Sequence, residues 1–143
     1  MSSKREQILV ALETLLKTVT AGSISAANIS RTRLAPFESP DQMPAIKIEQ
    51  GISIPDENVL GTLDWKLLVK VKVYQKGAIP DLSADVLTLS IHSKMMAVNA
   101  LGLSFITDII PKDNDPNYDF GDQPFVEITQ DFEILYRTNK GET

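Results

Sequence analysis

The stretch D-W-K-L-L-V-K-V-K-V-Y-Q, residues 64–75, decides the fold together with F-V-E-I-T-Q-D-F-E-I-L-Y, residues 125–136. Side chains of a strand alternate between the two faces of a sheet. The first stretch therefore predicts a strand with Trp65 and Val69 on an apolar face, and the second predicts a strand with Phe132 on such a face. Because the opposite face of each strand is charged, we expect a sheet with one face in the core and one face in water.

The charged faces of these two strands carry opposite charges. The residues concerned are Lys66, Lys70 and Lys72 on the first strand, and Glu127, Asp131 and Glu133 on the second. Opposite charges that face each other across a ladder stabilise a strand pair by about 0.2–1 kcal/mol, whereas like charges destabilise it. We therefore expect these lysines and carboxylates to pair across neighbouring strands. The same pairing would neutralise the lysines as a surface for phosphate.

A helix is predicted on each side of the first long strand. S-K-R-E at residues 3–6 is a capping box, so a helix is expected to begin there, and Gly22 is a natural stop. Asp81 and Asp85 place negative charge in the first turn of a second helix, as the helix dipole favours. This second helix is expected to end at Gly102.

The remaining segments are short strands and loops. Strands are expected near residues 31–37, at residues 43–50 and at residues 103–110, since each of them has alternating or apolar character. The segment at residues 51–63 is either an extended hairpin arm or an open loop, and we expect it to project in both cases. A polar loop is expected at residues 112–123.

The totals describe a globular chain of 143 residues, with 43% hydrophobic and 23% charged residues. We expect a single domain over residues 1–143. The order helix, strands, helix, strands predicts an α+β fold with two layers, in which two helices pack on one face of a mostly antiparallel or mixed β-sheet. No apolar run approaches the roughly 18 residues of a membrane helix. The polar N-terminus does not read as a secretory signal, so we expect folding in a cytoplasm and no membrane partner.

Charge and residue types exclude several functions. The absence of cysteine excludes disulfides, thiolate metal sites and cysteine nucleophiles. The net charge of −5 argues against a general nucleic-acid binder, whose affinity comes mainly from neutralising phosphates. The sequence contains no GxSxG elbow, no P-loop and no GxGxxG motif.

Two features suggest a chemical site, but the residues around them do not support one. His92 is the only histidine, and it lies in the middle of a helix without a ligand or base at the required spacing. The acidic run from Asp113 to Asp122 hints at a calcium loop. Counting from Asp113, however, Tyr118 and Pro124 stand where an EF-hand has its glycine and its bidentate glutamate. We therefore predict no catalytic residue, no cofactor, no metal site and no enzymatic activity.

The second helix has a wider apolar arc than packing on one sheet requires. One face carries Leu82, Val86, Leu89, Ser93 and Met96, and an adjoining face carries Leu87, Ile91, Met95 and Val98. Either the helix is deeply covered within its own subunit, or part of the arc is buried against a neighbouring subunit. Under the second alternative we assign a candidate interface to Leu87, Ile91 and Met95 of the helix, and to Ile52, Ile54, Asp56 and Glu57 of the segment at residues 51–63.

The order and spacing of these elements resemble the tail terminator (tail-completion) proteins of long-tailed phages, the lambda gpU-like family. The likeness covers nearly the whole chain. It rests on R-E-Q-I-L-V-A-L-E-T-L-L (residues 5–16), R-T-R-L (31–34), M-P-A-I-K-I (43–48), D-W-K-L-L-V-K-V-K-V-Y (64–74), I-P-D-L-S-A-D-V (79–86) and N-Y-D-F-G-D-Q-P-F-V-E-I-T-Q-D-F-E-I-L-Y (117–136). These are structural positions and not chemical motifs.

The resemblance implies a structural virion protein. Such a protein forms a homo-oligomeric, hexameric ring at the head-proximal end of the tail tube, stops polymerisation of the tail tube protein, and offers a surface to head completion or connector proteins. It resides in the virion tail, and in the host cytoplasm during assembly, and DNA passes through the ring without specific binding. Acidic residues would then be candidates to face the channel. These are Asp113, Asp115, Asp119 and Asp122.

Other functions remain open at this point. The chain could instead be another head–tail connector, neck or minor tail protein, since these are similar in size and layout. A small non-catalytic ligand-binding domain would require a concave pocket with convergent polar groups. A nucleic-acid-binding module would require exposed basic and aromatic residues on the open face of the sheet.

Overall fold

The computed structural model describes residues 3–20, 24, 28–31, 44–57, 61–76, 80–97, 99–119 and 125–141. Its elements are α1 (Lys4–Leu16), β1 (Ile29–Ser30), β2 (Ala45–Glu57), β3 (Thr62–Lys76), α2 (Pro80–Met95), β4 (Ile106–Asp119) and β5 (Phe125–Asn139). The strands form one mixed sheet in the order β1-β2-β3-β5-β4. The short β1 runs parallel to β2, and the other described pairs are antiparallel. The α+β fold class is therefore confirmed.

The two long strands predicted from the sequence lie side by side at the centre of this sheet. β3 pairs with β5 in one unbroken antiparallel register, from Thr62 opposite Asn139 to Lys76 opposite Phe125. The predicted apolar face is the core face. Its fully buried members on the two strands are Leu67, Val69, Val71, Val73, Val126, Phe132, Ile134 and Tyr136.

Both helices bury residues in the same core cluster as this face of the sheet. The residues are Ile8, Leu9, Leu12 and Leu16 of α1, and Ala84, Leu87, Ile91 and Met95 of α2. The other face of the sheet carries the charged side chains. The two-layer arrangement predicted from the alternation is thus present, with the helices on one side and solvent on the other.

The helix starts follow the sequence, whereas the helix ends differ from it. The Ser3 hydroxyl accepts a hydrogen bond from the backbone N–H of Glu6 at 3.1 Å and caps α1 as predicted. α1 ends at Leu16, before the predicted stop at Gly22, which lies outside the described residues. α2 ends at Met95 and not at Gly102.

Two segments differ from their predictions. β2 continues to Glu57, so the described part of the 51–63 segment is an ordered strand. β4 continues to Asp119, so residues 112–119 are an edge strand and the predicted polar loop is wrong there. Local polarity predicted a loop because an edge strand, like a loop, can present polar side chains to water. The strand expected at residues 31–37 lies almost entirely outside the described residues.

Candidate interaction surfaces

The exposed face of the sheet is a network of ion pairs and not a binding site for anions. Lys47 lies 2.8 Å from Glu49, and Lys72 lies 3.4 Å from Glu49 and 3.8 Å from Glu127. The hydrogen bond from Lys47, together with the charge of Lys72, holds the pKa of the Glu49 carboxyl below its usual value. The charges of Lys47 and Lys72 are therefore already compensated by neighbouring carboxylates, which leaves these two lysines little net field for a polyanion.

The predicted cross-strand pairs are present only in part. Lys70 lies directly opposite Asp131, and Lys72 contacts Glu127. Glu133 takes its partner from β4, where Lys112 lies 3.6 Å away. Lys66 faces Leu135 on β5 and Ile54 on β2, so no carboxylate stands directly across from it. The reason is register: Leu68, not Lys66, is the residue opposite Glu133.

The candidate channel residues lie on the β4 edge of the sheet. Asp113 and Asp115 are exposed, and the backbone of Asp119 pairs with Phe125 of β5. Asp122 lies outside the described residues. Pro111 and Pro116 interrupt the same strand with positions that have no N–H to donate. Prolines and charges along an edge strand disfavour pairing with another strand, so β4 is unsuited to extend the sheet into a neighbour.

The opposite edge of the sheet has a different character. Among the described strands, residues 51–57 of β2 are the outer strand beyond the short contact with β1, and we call them the β2 edge segment. Ile52 is 68% exposed and Ile54 is 56% exposed. A register shift between Gln50 and Ser53 places a bulge here. A Cβ atom on Gly51 would lie 2.8 Å from the carbonyl oxygen of Leu68, so this position requires glycine.

The β2 edge segment is an integral part of the sheet and does not project freely. Pro55 lies opposite Trp65, and Asp56 lies opposite Asp64, on β3. Asp56 is exposed, and the backbone of Glu57 pairs with Leu63. The expectation of a projecting arm is therefore wrong for residues 51–57. Of the predicted interface residues, Ile52, Ile54 and Asp56 are nevertheless open to solvent.

The predicted interface on α2 is on the wrong face of the helix. Leu87, Ile91 and Met95 are 0–1% exposed, because they pack against the sheet within the chain. The adjoining face is the one open to solvent. Its apolar members are Leu82, Val86, Leu89 and Met96, with exposed fractions of 67%, 53%, 62% and 36%. Both faces are equally apolar in sequence, and a helical period cannot by itself say which of them meets the sheet.

A cavity of about 300 Å³ opens between the connector that follows α2 and the start of β4. All of its lining residues lie within residues 95–109. Sequence reasoning did not anticipate the cavity, because the pattern of this stretch does not show how it folds back on itself. Its apolar lining residues include Met95, Met96, Leu101, Leu103, Ile106 and Ile109. Thr107 and Asp108 add polar groups to the lining.

The β2 edge segment and the cavity lie at the same end of the sheet and on opposite edges. One cross-strand row connects them, because Pro55 faces Trp65, Trp65 faces Tyr136, and Tyr136 faces Ile106. Three strand spacings separate the ends of this row, a distance of about 14 Å. The molecule thus presents exposed isoleucines at one edge and, at the other, a cavity whose walls are partly apolar and partly polar.

Aromatic side chains pack against one another along this row. The rings of Trp65 and Tyr136 are stacked with centroids 6.1 Å apart, and Phe105 meets Tyr136 edge-on at 6.4 Å. The indole N–H of Trp65 donates to the hydroxyl of Thr138 at 2.9 Å. Lys4 of α1 lies 5.3 Å from the centre of the Phe105 ring. Packed side chains therefore connect the two edge features.

The residues considered for chemistry remain isolated. His92 is exposed on α2. Within the described residues, no group of three or more histidine, aspartate or glutamate side chains is arranged to hold a metal ion. Neither described helix combines the length and the apolar character that a membrane crossing requires.

A comparison of the sequence with models of known protein families found no match, and a comparison with curated proteins found none either.

Proposed function

We propose that this protein is a structural virion component, a tail terminator that forms a ring at the head-proximal end of a phage tail tube. In this role it stops polymerisation of the tube protein and provides a surface for the head completion proteins. One observation carries the proposal: exposed isoleucines and a partly apolar cavity lie on opposite edges of one sheet. Surfaces that differ and lie on opposite sides of a subunit suit head-to-tail contacts, and such contacts close into rings.

The ring contact follows from that arrangement. Ile52 and Ile54 of one subunit would enter the cavity of the next, where the side chains of Leu103 and Ile109 offer apolar walls. Burial of a large aliphatic side chain contributes about 1.5–3 kcal/mol. Asp56, at the end of the same segment, would lie at the rim of the contact and remain hydrated.

The electrostatics of the sheet agree with a passive role toward DNA. Lys47 and Lys72 on the exposed face are compensated by carboxylates, and the β4 edge adds the exposed Asp113 and Asp115. A channel wall of this kind would repel phosphates and let DNA slide. We accordingly assign these aspartates to the channel, and expect no specific DNA binding at moderate salt.

The first experiment is light scattering across a concentration series, followed by negative-stain imaging of the largest species. We expect rings of about six subunits. Ile54→Asp should abolish them, because a charge buried in the cavity has no partner there. Val10→Asp is the matched control, since Val10 is 52% exposed on α1 and belongs neither to the β2 edge segment nor to the lining of the cavity. Normal rings from Ile54→Asp, or monomers of wild-type protein even when purified tail tubes are added, would overturn the proposal.

The cavity also favours a second candidate function, that of a small non-catalytic ligand-binding domain. Its volume of about 300 Å³ falls at the lower limit of the range that small-molecule sites occupy. Ala100→Phe, which fills the cavity from its lining, would abolish ligand binding under this alternative. Under the ring proposal it would abolish ring formation instead, so one variant distinguishes the two.

A further inference from the structure

One cross-strand row on the charged face of the sheet carries opposite charges toward its two ends. Ile54 of β2 faces Lys66 of β3, and Lys66 in turn faces Leu135 of β5. Leu135 also faces Asp108 of β4. Residues that stand directly opposite each other in a sheet point to the same side. The row therefore begins with an isoleucine and a lysine near the β2 edge and ends with an aspartate at the β4 edge.

Lys66 differs from Lys70 and Lys72 on the same strand, because both of its cross-strand neighbours are apolar. Lys70 faces a carboxylate on each side, and Lys72 contacts two carboxylates. Lys66 faces Ile54 and Leu135 instead, and its side chain is exposed. The cation beside Ile54 thus has no carboxylate directly across from it in the two strand pairs that flank it.

The acidic residues near this end of the row stand to one side of Lys66. Asp64, two positions along β3, binds Arg137 at 2.8 Å. Asp56 faces Asp64, so it stands diagonally from Lys66. Diagonal neighbours in a sheet are about 7–8 Å apart, whereas direct neighbours are about 4.5–5.5 Å apart. The direct neighbour of Lys66 at the outer edge is therefore Ile54 and not an acid.

Asp108 is part of the wall of the cavity. Its side chain is exposed, and its Oδ1 atom accepts a hydrogen bond from the backbone N–H of Ile109 at 2.8 Å. A carboxylate has about four acceptor sites, so it can accept a further bond from an ammonium group. Leu135 separates Asp108 from Lys66 within one chain by two strand spacings, or about 10 Å. The two charges are therefore not direct neighbours within a subunit.

We propose that Lys66 of one subunit forms an ion pair with Asp108 of the next and so sets the register of the ring contact. This inference rests on the proposed ring, in which Ile54 enters the cavity of the neighbouring subunit. Lys66 stands beside Ile54 on the same face, and its flexible four-carbon stem carries the ammonium outward. Lysine and aspartate side chains are both charged at neutral pH. Entry of Ile54 into the cavity brings these opposite charges within reach of each other.

The ion pair determines how subunits join more than how tightly they bind. An exposed pair raises an association constant by at most about fivefold, and burial of the isoleucines supplies the main part of the affinity. Like charges brought together oppose association much more strongly. A two-fold contact between two β2 edges would bring Lys66 toward its own copy, and a contact between two β4 edges would do the same for Asp108. The charges therefore favour the head-to-tail contact that closes a ring.

Charge reversal tests whether the two residues meet. Lys66→Glu and Asp108→Lys should each raise the protein concentration at which rings form by about tenfold or more, because like charges then meet at every contact of the ring. The double variant with both substitutions should form rings at close to the wild-type concentration. Asp115→Lys is the matched control, since Asp115 is an exposed aspartate of the same strand and does not line the cavity. All of these residues are exposed, so the variants should fold, and thermal unfolding followed by circular dichroism verifies it.

Chemical coupling identifies the pair directly. A carbodiimide joins a lysine amine to a carboxylate without a spacer, so it couples groups that are in contact. Rings are assembled from a mixture of isotope-labelled and unlabelled chains, treated with the reagent and digested. Mass spectrometry should find Lys66 coupled to Asp108 in peptides that combine a labelled chain with an unlabelled one. The same mixed peptides should be absent from Ile54→Asp protein, which lacks the ring contact.

The outcomes separate this ion pair from the ring itself. Rings that form equally well in Lys66→Glu, or coupling confined to peptides from a single chain, would overturn the ion pair and leave the ring proposal standing. Loss of rings in both single variants without recovery in the double variant would show that the two residues do not meet, and would also overturn the pair. Absence of rings from the wild type, even with purified tail tubes, would overturn the ring proposal and the ion pair with it.

Discussion

Trp65 and Tyr136 face each other across β3 and β5, and their rings are stacked with planes only 10° apart. The Trp65 indole N–H has Thr138 as its hydrogen-bond partner. The Tyr136 hydroxyl is buried without a partner in hydrogen-bonding geometry, although Ser53 lies close to it. Burial therefore raises the pKa of Tyr136 above its usual value, and the nearby Ser53 hydroxyl opposes the rise only in part.

Tyr136→Phe should leave the fold intact and extend its stability at high pH. The folded chain favours the neutral phenol. This group therefore makes its full contribution to the free energy of unfolding below pH 10, and the contribution is lost as the pH rises above 10. Removal of an unpaired buried hydroxyl also avoids a desolvation cost of about 1–3 kcal/mol. Thermal unfolding from neutral to strongly alkaline pH measures both effects. Tyr118→Phe, at an exposed position, is the control, and an alkaline limit unchanged by Tyr136→Phe would contradict the prediction.

Lys70→Glu should destabilise the sheet. Lys70 lies directly between Glu49 on β2 and Asp131 on β5 in the two registers, so the variant places three carboxylates in one row. We expect a loss of about 1 kcal/mol from like-charge contact, seen as a lower denaturant midpoint. Lys66→Glu is the matched control, since Lys66 faces Ile54 and Leu135. An equal loss in both variants would show that charge pairing does not determine the effect.

Gly51→Ala should destabilise the protein through a backbone clash. The added Cβ would lie 2.8 Å from the carbonyl oxygen of Leu68 and 3.2 Å from its Cβ atom, and neither can move without shifting β3. Overpacking of this kind costs about 1–3 kcal/mol. Gly141→Ala, where a Cβ meets nothing within 4 Å, should be nearly neutral. Chemical denaturation of the two variants compares them, and equal stability would mean that the bulge relaxes without cost.

Glu6→Gln should make the stability of the fold less sensitive to acid. Both oxygens of Glu6 bind the guanidinium of Arg31, one of them at 3.0 Å, which ties α1 to the end of β1. Hydrogen bonding to Arg31 holds the pKa of Glu6 below its usual value of about 4.5. The ion pair of Glu6 with Arg31 therefore contributes to the free energy of unfolding above pH 4.5. This contribution is lost as the pH falls through the lower pKa that Glu6 has in the folded protein.

Melting temperatures of wild type and Glu6→Gln should accordingly differ at neutral pH and converge at low pH. Glu13→Gln provides the control on the same helix, because it removes an exposed pair with Lys17 that is worth only about 0.3–0.5 kcal/mol. A difference between wild type and Glu6→Gln that persists unchanged into acid would indicate that packing, and not charge, ties α1 to β1.

Local pattern was sufficient for part of this structure. The alternation in residues 64–75 and 125–136 predicted both central strands, and it assigned residues such as Leu67 and Phe132 to the core. Alternation is a reliable signal because a one-residue shift would turn every buried side chain toward water. The capping residue Ser3 was likewise predicted, because N-terminal capping involves only neighbouring residues.

The local sequence pattern was insufficient where two different structural environments, such as a loop and an edge strand, have similar sequences. Residues 112–119 are polar, as a loop would be, but they pair with β5 at the edge of the sheet. The partner of Glu133 was expected on β3 and lies on β4, because only the register identifies which lysine stands nearby. The cavity beside Ile106 is lined by one stretch of the chain, residues 95–109, but it depends on how the connector after α2 packs on β4, which the pattern of that stretch does not show.

The sequence by itself determined the fold class, the central strand pair, the faces of that pair and the lack of familiar catalytic motifs, because each of these follows from the order and period of residues along the chain. Only the tertiary structure decided which side of α2 is open to solvent. Leu87 and Leu89 are equally apolar and only two positions apart, yet one is buried and the other is 62% exposed. The difference arises because a helix has one orientation on its sheet, and that orientation depends on contacts between residues distant in sequence.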